Sequence, residues 1–283
     1  MCDEKETNAI PALGHDYQAV VTAPTCTEGG YTTYTCTRGD DSYVADRVPA
    51  LGHAWGDWTV TQPADCFHEG EEARTCPICQ ETQTRVIPAN QDACPSKQFV
   101  DVNEKLWYHE GVDYVLQTGL MIGTSERTFS PNGPLTRGQL MVILYRLAGS
   151  PAVEADTPFT DVQAGTYYAD AVAWAYEAGI AKGVSQTRFA PNQGVSREQL
   201  VTFFARYTVW TGNVVAAVGD LRGYEDADRV SAYAKEAMTW AVENGLIEGT
   251  GENLLAPGHG STRAQAATIL LRYCTVLEFT PAE

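Results

Sequence analysis

The chain has 283 residues, 44% of them hydrophobic, and a formal net charge of −17. That apolar content supports a buried core and about two or three domains, which excludes a disordered tail. The acidity speaks against nucleic acid and against an anionic lipid surface, both of which reward a basic face. No apolar run approaches the roughly 20 residues of a membrane helix. Any anionic partner must therefore be captured locally, by a few placed cations working against the long-range field.

The N-terminal third repeats at about 38 residues, a period typical of arrays. Ala12-Leu13-Gly14-His15 recurs as Ala50-Leu51-Gly52-His53. A pair of cysteines follows each His ten positions apart, first Cys26 and Cys36, then Cys66 and Cys76, and each unit closes on Pro-Ala at Pro11, Pro49 or Pro88. Cys2 precedes Pro11 by the same nine residues that separate Cys79 from Pro88. Residues 2–15 thus read as the tail of an earlier unit, and the chain reads as a piece of a longer exported protein, although it opens without a signal peptide. Thr-, Tyr- and Val-rich runs such as Gly30-Tyr31-Thr32-Thr33-Tyr34-Thr35 predict short β-hairpins. Units this small need a staple to be stable.

From about Phe99 the pattern becomes helical. Three blocks open at Phe99-Val-Asp101, Phe159-Thr-Asp161 and Tyr224-Glu-Asp226. Each continues into an amphipathic segment with i, i+3, i+4, i+8 apolar spacing: Val112, Val115, Leu116 and Leu120 in the first block. Gly119, Gly179 and Gly245 stand where a helix end favours a left-handed residue. A loop beginning at Gly123, Gly183 or Gly249 then ends in Phe129-Ser-Pro131, Phe189-Ala-Pro191 or Leu255-Ala-Pro257. The second helix starts at Thr136-Arg-Gly-Gln139, Ser196-Arg-Glu-Gln199 or Thr262-Arg-Ala-Gln265. Each start fits a capping box, in which the hydroxyl takes an orphan N–H and the Gln reaches back to the cap.

Arginine follows all three caps, at Arg137, Arg197 and Arg263. A cation there faces the positive end of the helix dipole, at a cost of a few tenths to about 1 kcal/mol, so something should offset it. One answer is an internal carboxylate, with Asp101, Asp161 and Asp226 as candidates. The other is an anionic ligand, held by free N–H groups and the guanidinium fork. Trp107, Tyr167 and Tyr233, near the first helices, are candidates for stacking on a sugar ring. Trp174, Trp240 and Tyr114 are assigned to packing.

Together, the aromatic-Asp openings, the Phe-x-Pro loops and the three capped Arg motifs resemble the S-layer homology family. The resemblance implies a mainly α fold, a pseudo-threefold trimer of repeats at 97–150, 157–211 and 220–277. Small Cys-rich β units precede it at 1–15 (truncated), 16–53 and 54–96. It further implies non-catalytic anchoring at a bacterial cell surface, through secondary cell-wall polysaccharides that are anionic and often pyruvylated. The implied ligand residues are Arg137, Arg197 and Arg263, with Trp107, Tyr167 and Tyr233, and Gly123, Gly183 and Gly249. Gln139, Gln199 and Gln265 stand where the family has Glu, which removes a negative charge beside each Arg. Leu255 replaces the expected Phe, so the third repeat, with Arg263, is ranked as the weakest site. The second functional reading is a stalk or adhesin whose Cys-rich units bind another protein.

Two readings of the cysteines stay open. Disulfides Cys26–Cys36 and Cys66–Cys76 across the hairpins suit an exported chain and are favoured. A zinc site of His53, Cys66, Cys76 and Cys79 is the other, with Cys76-Pro-Ile-Cys79 as its knuckle. The preceding unit has Arg38-Gly39-Asp40 where the third Cys would fall, which weakens zinc as a general rule. No other cofactor is expected. Cys274, on an apolar helix, reads as buried. None of His15, His53, His68, His109 and His259 lies in a nucleophile or zinc-protease motif, so no catalytic residues are assigned.

Overall fold

The computed structural model describes residues 13–154, 156–251 and 253–277, so the calls on Cys2 and Pro11 lie outside the described residues. The chain divides into two compact units, one ending at Gln91 and the other starting at Asp92. The first is all β. Strands β1 (Tyr17–Thr22), β2 (Gly30–Cys36) and β3 (Ser42–Val48) form one antiparallel sheet. Strands β4 (Thr59–Gln62), β5 (Gly70–Thr75) and β6 (Thr82–Ile87) form a second. The mainly α expectation fails: among the described residues six strands in two sheets accompany six α-helices, and the Cys-rich units at 16–53 and 54–96 are each a three-stranded meander rather than a hairpin. The reason is length, since each unit has room for a third short strand returning to its closing Pro-Ala.

The second unit holds helices α1 (His109–Gln117), α2 (Arg137–Leu147), α3 (Ala169–Glu177), α4 (Arg197–Trp210), α5 (Lys235–Glu243) and α6 (Arg263–Val276). Each block contributes a short first helix and a second helix that begins in a capping box. Thr136, Ser196 and Thr262 accept from the Gln139, Gln199 and Gln265 amides, and each Gln side chain bonds back to the cap. The pairing of helices crosses the repeats: α2 packs on α3, α4 on α5, and α6 on α1, closing a ring. Single bridges follow the same cycle, Thr136 to Gly194, Ser196 to Gly260 and Pro134 to Thr262. At α1–α6 the approach is so close that a Cβ on Gly111 would lie 2.8 Å from the Thr268 backbone. One continuous core fills the ring, from Phe99 through Phe129, Leu140, Phe189 and Tyr207 to Tyr273. Trp174, Trp240 and Cys274 are buried in it and Tyr114 packs against it. His109 is buried as well, 2.9 Å from Asp113, whose other oxygen accepts from the Ser96 amide, so this His–Asp pair fixes the chain entry onto α1.

Candidate functional site

Each motif Arg leaves its own repeat and reaches the loop of the next repeat in the ring. Arg137 Nε donates to the Phe189 carbonyl at 2.8 Å and its Nη2 to Lys182 at 2.9 Å. Arg197 does the same to Leu255 (2.8 Å) and Glu248 (3.1 Å). Arg263 closes the cycle on Phe129 (2.8 Å) and Ile122 (2.6 Å). The three side chains are only 4–6% exposed. Burial pushes their pKa values below the ordinary guanidinium value, opposed by the charges of Asp161, Asp226 and Asp101 respectively.

Those carboxylates do not bond the arginines. Asp101 accepts the Phe129 and Ser130 amides, both at 2.8 Å. Asp161 takes Phe189 and Ala190, and Asp226 takes Leu255 and Ala256. Asp and Arg therefore grip the two sides of one loop segment, the Asp by its N–H groups and the Arg by its carbonyl. The direct Arg–Asp pairing considered from the sequence is replaced by this clamp. The clamp holds Ser130, Ala190 and Ala256 at φ between 52° and 58°, in the left-handed region, each immediately before a proline. An L-residue there is strained, and more so before Pro. A190G is therefore expected to stabilise the fold by about 0.5–1 kcal/mol in urea denaturation, because glycine relieves the strain by more than its chain entropy costs. A loss of stability on this substitution would contradict the strain.

The Asp161 carboxyl would be raised by burial, but the Phe189 and Ala190 amides outweigh that and hold it below its ordinary value. A depressed folded pKa contributes stability above the unfolded pKa, and that stability is lost as pH falls through the folded one. Acid titration of the wild type is expected to lose stability below about pH 4. D161N should flatten that part of the curve, and an unchanged acid limb would contradict the assignment.

The helix starts are also occupied. Arg137 and Gly138 amides donate to Gln193 and Pro191, those of Arg197 and Glu198 to His259 and Pro257, and those of Arg263 and Ala264 to Gly133 and Pro131. With the third amide taken by the cap, the free N–H groups expected from the sequence are spent on the neighbouring repeat. An anion must then be met by side chains.

Three grooves lie where these contacts meet, of about 390, 230 and 260 Å³. The first is lined by Gly123, Gln139, Arg146, Tyr167 and Arg263, and the second by Gly183, Gln199, Arg206, Tyr233 and Arg137. The third is lined by Gly249, Gln265, Arg272, Trp107 and Arg197. Each groove thus draws on all three repeats. The Leu255 departure consequently affects the Arg197 groove, not the one with Arg263. Arg137 and Arg263 lie 4.5 Å over the Phe189 and Phe129 rings, a platform that Leu255 cannot offer Arg197. Trp107, Tyr167 and Tyr233 are 64%, 66% and 55% exposed at the groove rims. The loop glycines answer to packing, because a Cβ on Gly123 would meet the Phe99 ring at 2.5 Å.

Sequence reading missed the second arginines, Arg146, Arg206 and Arg272. Their signal was available, since each lies nine residues after a motif Arg. Arg206 is close enough to Arg137 to push its pKa down further by like-charge repulsion, so that groove concentrates positive charge in an acidic chain. Arg272 instead pairs with Glu248 at 3.1 Å, which leaves the third groove the least cationic. Tyr233 carries its own restraint: its hydroxyl donates to buried Glu198 at 3.0 Å.

The cysteines lie differently from expectation. Cys26 sits in the turn before β2 and Cys36 at the far end of that strand. A seven-residue strand spans roughly 20 Å at about 3.3 Å per residue, far beyond disulfide reach. Cys26 and Cys36 are free thiols, and Cys66 and Cys76 flank β5 in the same way, so neither hairpin disulfide forms. The proposed zinc set fails for the same reason at one member. His53, Cys76 and Cys79 do converge, but Cys26 takes the place of Cys66.

Among the described residues no helix is long and apolar enough to cross a membrane. The family model described as the S-layer homology domain matches residues 98–141, 158–201 and 223–267. An endoglucanase of Bacillus sp. (strain KSM-635) is 32% identical over 181 residues, covering 64% of this chain and 19% of the relative. The surface-layer 125 kDa protein of Lysinibacillus sphaericus is 30% identical over 204 residues, 71% of this chain and 17% of the relative. An amylopullulanase of Thermoanaerobacterium thermosulfurigenes is 27% identical over 175 residues, 62% of this chain and 9% of the relative. The chain thus spans less than a fifth of each of these relatives. Residues 98–267 hold three tandem S-layer homology domains, which make this part of the chain a cell-surface anchoring module.

Proposed function

We propose that the three grooves bind an anionic, pyruvylated secondary cell-wall polysaccharide, and that the chain contributes attachment without chemistry of its own. The observation that carries this reading is the pairing, in the first two grooves, of a buried motif Arg and a second Arg with an exposed aromatic. Arg146 and Arg206 have no carboxylate partner within ion-pair distance among the described residues, so an incoming carboxylate would complete them. The exposed ring offers a face for the sugar carrying that carboxylate. Three such grooves on one module add by avidity, which permits weak individual sites. Relatives named as glycosidases are mostly chain outside the matched region, so their names support attachment of varied cargo rather than activity in this segment.

The test is co-sedimentation of the 283-residue chain with purified cell-wall sacculi, before and after the non-peptidoglycan polymer is stripped. Binding should fall at least tenfold on stripping. Equal binding to stripped and intact walls would sink the polymer assignment.

A further inference from the structure

The first unit has almost no core of its own. Among its described residues, the buried hydrophobic side chains are Cys26, Cys36, Cys66 and Cys76 alone. Two sheets this small cannot be held by burial of apolar surface, so a covalent or metal staple is required. Two of these buried thiols meet at the junction between the sheets.

That junction is built by backbone. Leu51 and Gly52 amides donate to Thr25 and Cys26, which folds the linker onto the turn of the first sheet. Gly56 donates to Thr75, which ties the same linker to the end of β5 in the second sheet. His53 is thereby held between Cys26 and the Cys76-Pro-Ile-Cys79 knuckle. Ligand atoms from Cys26, His53, Cys76 and Cys79 all lie within 4.8 Å of one another. Two of the separations test the geometry. Tetrahedral Zn–S bonds of about 2.3 Å put two sulfurs roughly 3.8 Å apart, and a Zn–N bond of about 2.0 Å puts N and S roughly 3.5 Å apart. Cys26 and Cys76 sulfurs are 3.9 Å apart, and His53 Nδ1 lies 3.3 Å from the Cys79 sulfur. A disulfide would need about 2.05 Å. The surroundings fit as well. His53 Nε2 faces the Glu81 carboxylate at 3.3 Å, which orients Nδ1 toward the cluster, and Ile78, Cys79 and Ala54 amides point at the Cys76 sulfur.

We infer that Cys26, His53, Cys76 and Cys79 bind one zinc ion as a Cys3His site that clamps the two β-sheets together. Each of the three thiols loses its proton to solvent as its Zn–S bond forms, and His53 binds as the neutral ring. Coordination is closed, as in a structural site, and leaves no position for a substrate. The preceding unit has Gly39 where Cys79 would fall, so His15 and Cys36 lack that part of the knuckle.

Elemental analysis of the full 283-residue chain, purified without chelator in the presence of Zn2+, tests this. The wild type should carry one more zinc equivalent than C26S or C79S, and C36S should match the wild type. Co2+ substitution guards against variants that fail to fold. H53C should keep the extra equivalent and shift the Co2+ absorption bands as the ligand set changes from one nitrogen and three sulfurs to four sulfurs. The inference is overturned if C26S holds as much zinc as the wild type, or if the H53C spectrum is unchanged. Peptide mapping that finds a Cys26–Cys76 disulfide in the natively exported chain would also overturn it.

Discussion

R197A is expected to unfold or severely destabilise the helical unit, by about 3–5 kcal/mol in urea denaturation. The substitution strands the buried Leu255 carbonyl, which costs about 1–3 kcal/mol unsatisfied, removes the half-buried bond to the Glu248 carbonyl, and leaves a cavity at the ring contact. R137A and R263A should behave alike, because their bonds are equivalent. Lysine should rescue little, since a single ammonium cannot span two carbonyls held by a planar fork. From the sequence alone, removing all three arginines should abolish binding and spare the fold. The structure reverses that expectation, and loss of wall binding in these variants would report unfolding. A stability change below about 1 kcal/mol in R197A would contradict the clamp.

Removing the rim aromatics should have the opposite profile. The triple variant W107A/Y167A/Y233A is expected to keep its melting temperature within a few degrees, because all three rings are more exposed than buried. Binding to intact sacculi should fall by well over a hundredfold. Each lost stacking contact is worth about 1–2 kcal/mol, or about tenfold per groove, and the three grooves act together. Y233A alone carries a complication, because Tyr233 also satisfies Glu198, so a modest stability cost is expected there and not at Tyr167. Unchanged binding in the triple variant would contradict a role for the rims. Adding R146Q/R206Q should leave the third groove as the main residual site, though the weakest for an anion, given the Arg272–Glu248 pair.

How much of this was legible in the sequence depends on the range of the contact. Capping boxes and the left-handed Gly119, Gly179 and Gly245 were legible because their partners lie within a turn of one another. The partners of the motif arginines were not, because they are backbone carbonyls in another repeat, and a carbonyl leaves no mark on residue identity. Tying the Leu255 departure to Arg263, its neighbour in sequence, missed the Arg197 groove for the same reason. Ring closure takes the Arg from one repeat, the loop from a second and the aromatic from a third. The regular spacing of Cys26 and Cys36 was legible, but its meaning was inverted. The ten-residue interval contains a whole strand, so it separates the two thiols instead of joining them. What the interval encodes is one thiol at each end of the central strand, which brings Cys26 to the knuckle of the unit that follows.

The central claim is that an anionic wall polysaccharide sits in grooves shared between repeats. A crystal structure of the chain with a fragment released from the wall polymer tests it most directly. The predicted result is a sugar ring against Tyr167 or Tyr233, with its acidic group within hydrogen-bond distance of Arg146 or Arg206. Fragment density on the outer helix faces or on the β unit, with all three grooves vacant at saturating ligand, would contradict the account.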